Sequence, residues 1–484
     1  MEKTLKEKTT SALIWSFIDK FGQQIIYLAT GIVLARRLSP DEYGLVAALA
    51  LFTAISTTLV GSGYSRALMN KPIVTTEELN TVYYYNIGVG IFLYIILFFC
   101  APLISMYYTK PILTPLSRVL FLTIIFTAFT NTQDFVLTKK MDLNSITKAN
   151  LFSLLPASLL AMIAAIMGLG VWALVIQALL MSFFKMLTFW YYGKWSSSKI
   201  FKYSILKDLF PFSIGVLLMN LVNTIFNNIY SLLIGRFYSI HQLGIYTQGS
   251  KYQDIPTGLI YNTFRSVSTP LLSSINEDNE RLKRVLSKLI KTISLICFPV
   301  LFGMILIAKP LIIALITEKW LDSVPILQIL CISGIFTTLN NVLQESILAK
   351  GKSQQLLIAE ILKKGILVVI ILLTLKYGII GLAWGWAGSS FFTLLVSLFL
   401  SNRIVGYSIL DLFKDCLPYF LISSVLCTVA FFISKPIENN FFFLGFSLLF
   451  VGSLYIFSCK IFKLEVADEM FAWLDQKKAG RRKK

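Results

Sequence analysis

Apolar residues in this chain are gathered into blocks too long for the interior of a soluble domain. About fourteen blocks run through it, at 11–34, 44–62, 81–107, 115–136, 150–169, 171–192, 208–236, 243–272, 287–316, 326–348, 355–376, 378–401, 412–434 and 440–462. About 20 helical residues span the roughly 30 Å hydrocarbon core of a bilayer. Only helices and closed barrels satisfy their own backbone polar groups there. Alternating ten-residue segments, the mark of a membrane barrel, are absent from the sequence. Charged residues make up 14% of 484, against roughly 25% in soluble domains, and mean hydropathy is +0.73. The expected fold is therefore an all-α polytopic membrane protein with about 14 transmembrane helices and the lipid bilayer as its solvent. The basic opening segment precedes an apolar block too long for a signal peptide and without a small-residue cleavage site, so the first helix is expected to stay.

The net charge of +19 does not point to nucleic acid, because Lys and Arg fall in alternate loops. One set holds Lys3, Lys6 and Lys8, then Arg66/Lys71, Lys139/Lys140/Lys148, Lys194–Lys207, Arg281–Lys288, Lys350/Lys352, Arg403 and the tail Lys477–Lys484. The other holds Arg36/Arg37, Lys110, Arg236, Lys309/Lys319, Lys376 and Lys435, and the first outnumbers it about three to one. Basic loops stay inside, so both termini are expected in the cytoplasm. The six cysteines are scattered without metal-binding spacing, and neither a disulfide framework nor a metal site is implied. A single histidine, His241, leaves Ser/His/Asp catalysis and His-based metal sites without material.

The chain also repeats itself. Ala35-Arg36-Arg37-Leu38-Ser39-Pro40-Asp41-Glu42-Tyr43-Gly44-Leu45 lies 200 positions before Gly235-Arg236-Phe237-Tyr238-Ser239-Ile240-His241-Gln242-Leu243-Gly244-Ile245. Gln133–Lys139 resembles Gln344–Lys350, and Gly170–Leu174 resembles Gly378–Leu382, in the same order along the chain. Helices one to six thus map onto seven to twelve, and an even helix count gives both halves one orientation. Their pseudo-two-fold axis is expected along the membrane normal, as in transporters built from parallel repeats. The organisation predicted is an N-lobe at 1–192, a cytoplasmic linker at 193–207, a C-lobe at 208–402, two extra C-terminal helices at 403–462 and a basic amphipathic tail at 463–484.

Charge within a membrane span is expensive, so polar residues there should face a bundle interior or a wet cavity. In the first helix Lys20, Gln23, Gln24 and Tyr27 share a face by their spacing. Adding 200 gives Asn220, Asn223, Thr224 and Asn227, a second polar face. The eighth helix carries Lys251, Asp254 and Arg265, and Arg66 is the approximate repeat-mate of Arg265. These residues predict a cationic cavity for an anion such as phosphate or pyrophosphate. The competing reading is that Asp19 and Asp254 neutralise the lysines while Arg66 and Arg265 reach the cytoplasmic surface. Asp19, Asp134, Glu345 and Glu360 are the acidic candidates for proton or sodium coupling, and Glu360 and Lys364 are spaced to pair. No cofactor is implied.

These residues are familiar in combination. Ser11–Phe17, followed by Gly31-Ile32-Val33-Leu34-Ala35-Arg36-Arg37-Leu38-Ser39-Pro40-Asp41-Glu42-Tyr43-Gly44-Leu45, resembles the polysaccharide-exporter family of the multidrug/oligosaccharidyl-lipid/polysaccharide flippase superfamily. Glu318-Lys319-Trp320 with Pro325–Leu330 is similar to that family's loop between helices nine and ten. The resemblance implies a Wzx-type flippase in the bacterial inner membrane. It implies an undecaprenyl-pyrophosphate-linked glycan as substrate, no enzymatic chemistry, and polysaccharide polymerase machinery as a partner. A related cation-coupled drug antiporter would want an acidic cavity and twelve helices. A membrane glycosyltransferase or polymer ligase would want an extramembrane loop with clustered acids, and a purely structural protein would not need buried Lys and Arg.

Overall fold

A computed structural model describes residues 5–275, 277–435, 439–470 and 472. Lys3, Phe471 and residues 473–484 of the expected tail, with Arg481-Arg482-Lys483-Lys484, lie outside the described residues. Among those described the structure is helical, with fifteen α-helices. They are α1 (Leu5–Arg37), α2 (Pro40–Asn70), α3 (Thr76–Tyr108), α4 (Leu113–Leu120), α5 (Leu122–Lys139), α6 (Leu143–Ile166), α7 (Trp172–Gly193) and α8 (Tyr203–Phe237). Then follow α9 (Ile240–Ser273), α10 (Asn279–Ile316), α11 (Ser323–Ala349), α12 (Ser353–Thr374), α13 (Gly378–Val405), α14 (Ile409–Ser434) and α15 (Asn440–Ile461). They fall on the fourteen expected blocks, with α4 and α5 sharing the fourth. That block breaks at Phe121, whose carbonyl accepts the Ile124 N–H at 3.0 Å in a tightened turn.

Eleven stretches are long and apolar enough to cross a membrane, and one of them, Ser353–Val405, contains both α12 and α13. α1 and α9 have the length, at 33 and 34 residues, but fall short in apolarity and are not among the eleven. These two helices carry two of the three polar faces read from the sequence, and the third lies on α8, which is among the eleven.

The chain divides into two compact units, Met1–Thr247 and Gln248–Lys484. In the first, α6 packs against α1 and α7, α3 against α5, and α2 along α8. The basic segment between α7 and α8 is pinned to this unit by buried polar groups. Asn80 accepts the Ser198 N–H at 2.7 Å, and Gln133 donates to the Trp195 carbonyl at 2.7 Å. Tyr83 meets Trp190 and Trp195 edge to face around it, and the two tryptophans are tilted at 46° to each other.

In the second unit α11 packs between α10 and α13, and α14 and α15 lie on α10. Hydroxyls and amides join α11 to α13, Ser333 to Ser390 at 2.9 Å and Ser397 to Asn340 at 2.7 Å, as expected where lipid supplies no hydrophobic drive between helices. Residues 465–470 form a short helix whose Ala467 packs with Tyr455 and Cys459. Its Glu465 and Glu469 meet Lys291 and Lys288 of α10 at 2.6 Å each. The hydrogen bond and charge of Lys291 hold the Glu465 carboxyl below the usual range.

The repeat motif has a structural meaning. Ser39 and Ser239 are both N-cap residues, with Glu42 N–H donating to Ser39 Oγ and Gln242 N–H donating to Ser239 Oγ at 3.1 Å. Each hydroxyl satisfies an orphan donor of the helix that follows.

The charge alternation predicts orientation. In intact cells a cysteine at Lys110 should react with a membrane-impermeant maleimide, and one at Lys199 should react only after permeabilisation. The reverse pattern would invert the topology.

Candidate functional site

In the first unit Asp19 lies near the middle of α1, 14 residues from its described start and so about 21 Å along the axis. Asn150 of α6 donates to both carboxylate oxygens, at 3.2 and 3.3 Å, and Gln23 donates to Oδ1 at 2.8 Å. Asp19 therefore clamps α1 to α6 through amides, and Lys20 is not its partner. Lys20 is exposed and Gln24 half-buried. Tyr27 turns to α7, where its hydroxyl meets the Met181 sulfur at 2.9 Å. Among the described residues neither Lys20 nor Lys251 has an ion-pair partner. The neutralisation of both lysines by Asp19 and Asp254 is thus overturned, because the carboxylates face other donors.

The polar face of α8 lies on the side that packs along α2. Buried Ser213, Tyr230 and Ile234 mark that side. Thr224 meets Thr58 of α2 across it at 3.1 Å. Asn220 and Asn223 are half-buried and Asn227 is exposed. Arg66 is exposed near the last turn of α2. Asp134 of α5 is half-buried and feels the charge of Lys185 on α7.

In the second unit α9 runs parallel to α11. Gly249 lies against Ile326 and Leu327, and Gly334 of α11 against Gln253 and Thr257. One turn from the end of α11, Glu345 is 6% exposed and held by three groups of α9. The Arg265 guanidinium reaches it at 3.1 Å, the Thr269 hydroxyl donates at 2.9 Å and the Tyr261 hydroxyl at 3.5 Å. Arg265 itself is 56% exposed; its Nε binds the carboxylate and its guanidinium carbon lies 5.9 Å from the Tyr261 ring centroid. Two residues named separately from the sequence, Arg265 and Glu345, are brought together. Thr269 and Tyr261 were missed, because nothing in their spacing marks a buried acid on another helix.

Spacings of three and four put Lys251, Asp254, Gly258 and Asn262 on one face of α9, opposite Gly249 and Gln253. Lys251 is half-buried, while Asp254 and Asn262 are exposed. Ser250 donates to Asp254 at 3.2 Å, and a Cβ on Gly258 would meet open space. This face, with one ammonium, one carboxylate and one amide, offers charged and hydrogen-bonding groups to a polar ligand without covalent chemistry.

Glu360 acts electrostatically on Lys364, the partner expected from the spacing, and accepts hydrogen bonds from two further groups. The donors are Lys363 of α12 and Gln344 of α11, each at 2.8 Å. Residue 363 is the one turned inward, its side chain 3% exposed. A buried lysine bound to Glu360 and joined to α11 reads as cross-linking. Among the described residues no group of His, Cys, Asp and Glu has the geometry to hold a metal.

Arg265→Ala should lower stability by about 1–2 kcal/mol, since it leaves a buried carboxylate short of a charged donor. Glu345→Gln in that background should recover most of the loss, because the two changes remove one shared interaction. Thermal unfolding of the purified single and double variants checks both.

Comparison with known proteins places the chain. It is 27% identical over 442 residues to the teichuronic acid biosynthesis protein TuaB of Bacillus subtilis, covering 90% of this chain and 91% of the relative. The lipid II flippase MurJ in an inward closed conformation superposes with a TM-score of 0.75 at 19% identity, covering 93% of this chain and 98% of MurJ. A multidrug resistance MATE family transporter of the MOP superfamily, in an inward-facing conformation, gives 0.64 at 17% identity, covering 82% and 98%. The fold is thus the one these two structures share, and the chain is a multi-pass membrane protein. Residues 33–325, more than half of its length, match the family described as polysaccharide biosynthesis protein, and the chain belongs to that family.

Proposed function

We propose that the chain carries a lipid-linked oligosaccharide from the cytoplasmic to the outer leaflet of the bacterial inner membrane. The observation that carries this reading is the polar load of α9, on which Lys251 is half-buried, Asp254 and Asn262 are exposed and the Arg265 side chain is 56% exposed. Such a load cannot rest against acyl chains at an acceptable cost, so it faces water and polar cargo. The task needs nothing more. Sugar and phosphate cannot enter hydrocarbon unaided because their polar groups would be left unpaired. The lipid tail can remain in the bilayer while the head group passes along protein.

The finer reading is an undecaprenyl-pyrophosphate carrier, handed on to a polysaccharide polymerase at the outer face. Lys20, Lys251, Arg265 and Arg66 suit the pyrophosphate. Gln23, Gln24, Asn220, Asn223, Asn227 and Asp254 suit sugar hydroxyls. Asp19 is the carboxylate best placed for proton or sodium coupling. It sits mid-helix, takes only amide donors in this structure and has no cation paired with it. Asp134 is a second, more weakly supported choice; Glu345 and Glu360 are already held by Arg265 and Lys363. A drug-antiporter reading shares the fold, but the unpaired lysines disfavour a cationic cargo.

Deleting the gene should leave one lipid-linked glycan accumulating on the cytoplasmic leaflet. Complementation with Lys251→Ala plus Arg265→Ala should restore export at least about tenfold less well than the parent chain, a loss corresponding to ~1.4 kcal/mol. Full complementation by that double variant and by Lys20→Ala plus Lys251→Ala would overturn the assignment of these cations. Asp19→Asn should remove the dependence of export on the ion gradient while leaving the amount of folded protein unchanged.

A further inference from the structure

We infer that the start of α14 and the end of α15 form a docking surface for anionic phospholipid, on which Lys414, Lys460 and Lys463 take lipid phosphates. This holds whatever cargo the chain carries.

α14 and α15 are the two helices expected outside the repeats, and both pack on α10. Cys427 of α14 clusters with Val451 of α15, and the earlier Ile422 packs against the later Tyr455 and Cys459. The two helices therefore run antiparallel, and the start of α14 lies beside the end of α15. The charge alternation assigns that end to the cytoplasm.

Acids and lysines there are sorted to different sides. Asp411 meets Lys283 of α10 at 2.9 Å. Asp415 is buried, accepts the Tyr407 hydroxyl at 2.8 Å and lies 3.8 Å from Lys291 of α10. Glu465 and Glu469 take Lys291 and Lys288 of the same helix, and Asp468 is half-buried. The ion-paired carboxylates thus all turn to α10. Lys414, Lys460 and Lys463 are exposed. Among the described residues none of the three has an ion-pair partner.

Two of these lysines sit on stripes that face hydrocarbon. Lys414 is in helical register with Leu410 and Leu421, and Lys460 with Ile456 and Phe457, all four exposed. Both helices are among the stretches apolar enough to cross a membrane. Phe413 and Phe462 are exposed beside the lysines. An ammonium on such a stripe lays its stem along acyl chains and lifts its charge to the headgroups. With the carboxylates turned to α10, lipid phosphate is the anion within its reach. An anionic leaflet strengthens binding by about fivefold for each lysine held near it.

The test is native mass spectrometry of the purified full chain, released from mixed micelles with equal amounts of phosphatidylglycerol and phosphatidylcholine. The parent chain should retain phosphatidylglycerol in preference. Lys414→Gln with Lys460→Gln and Lys463→Gln should cut that preference more than about tenfold. Arginine at the same three positions should keep it. So should a charge-matched control away from this end, Lys110→Gln with Lys309→Gln and Lys376→Gln. The glutamine triple should melt with the parent in lipid-free detergent, since exposed lysines without partners add little to stability. Should it not fold, Lys460→Gln alone, with a loss of up to about fivefold, decides the matter. An undiminished preference in the glutamine variants would overturn the surface, as would an equal loss in the charge-matched control. Displacement of phosphatidylglycerol by excess inorganic phosphate would also overturn it, by revealing a free-anion site in place of a lipid one.

Discussion

Everything in this protein follows from the price of an unpaired polar group in hydrocarbon. Backbone groups meet that condition by being helical almost throughout. Side chains meet it by pairing inside the units, as Asn150 and Gln23 do for Asp19, Arg265 and Thr269 for Glu345, and Ser397 for Asn340. Lys20, Lys251 and Asn262 are not absorbed in this way. Residues of that kind need water or a polar ligand beside them, and this is the physical ground for reading α1 and α9 as parts of a transport path.

The same constraint orders the two kinds of helix. Many helices turn large apolar side chains outward, as α12 does with Ile358, Ile361 and Leu372. α9 inverts this in its second half, where Asn262, Thr263, Arg265, Ser266 and Thr269 are exposed. One helix in each unit, α1 and α9, departs from membrane-helix composition. Such a departure is stable only where bilayer is replaced by something polar.

Much of the fold was legible in the sequence because the membrane leaves few alternatives. Blocks of about 20 apolar residues fixed helix number and order, and the Ser–Gly motif marked where a helix begins after a tight loop. The break at Phe121 was hidden, since it is one tightened backbone turn inside a continuous apolar block. Individual polar residues on α1, α8 and α9 were legible by helical spacing, but their partners were not. Nothing in sequence spacing joins Asp19 to Asn150 or turns residue 363 rather than 364 inward. His241 was read only as too solitary for catalysis; its relation to Asp41 needed the fold to bring positions 200 apart into contact.

The most direct measurement is reconstitution of the purified chain into sealed liposomes carrying a fluorescent polyprenyl-pyrophosphate sugar in the inner leaflet. The rate at which the sugar becomes accessible to an external glycosidase or lectin is then followed. The account predicts transfer well above protein-free vesicles, without chemical change to the lipid. Transfer no faster than in empty vesicles, with or without a proton or sodium gradient and with the chain shown to be folded, would contradict it.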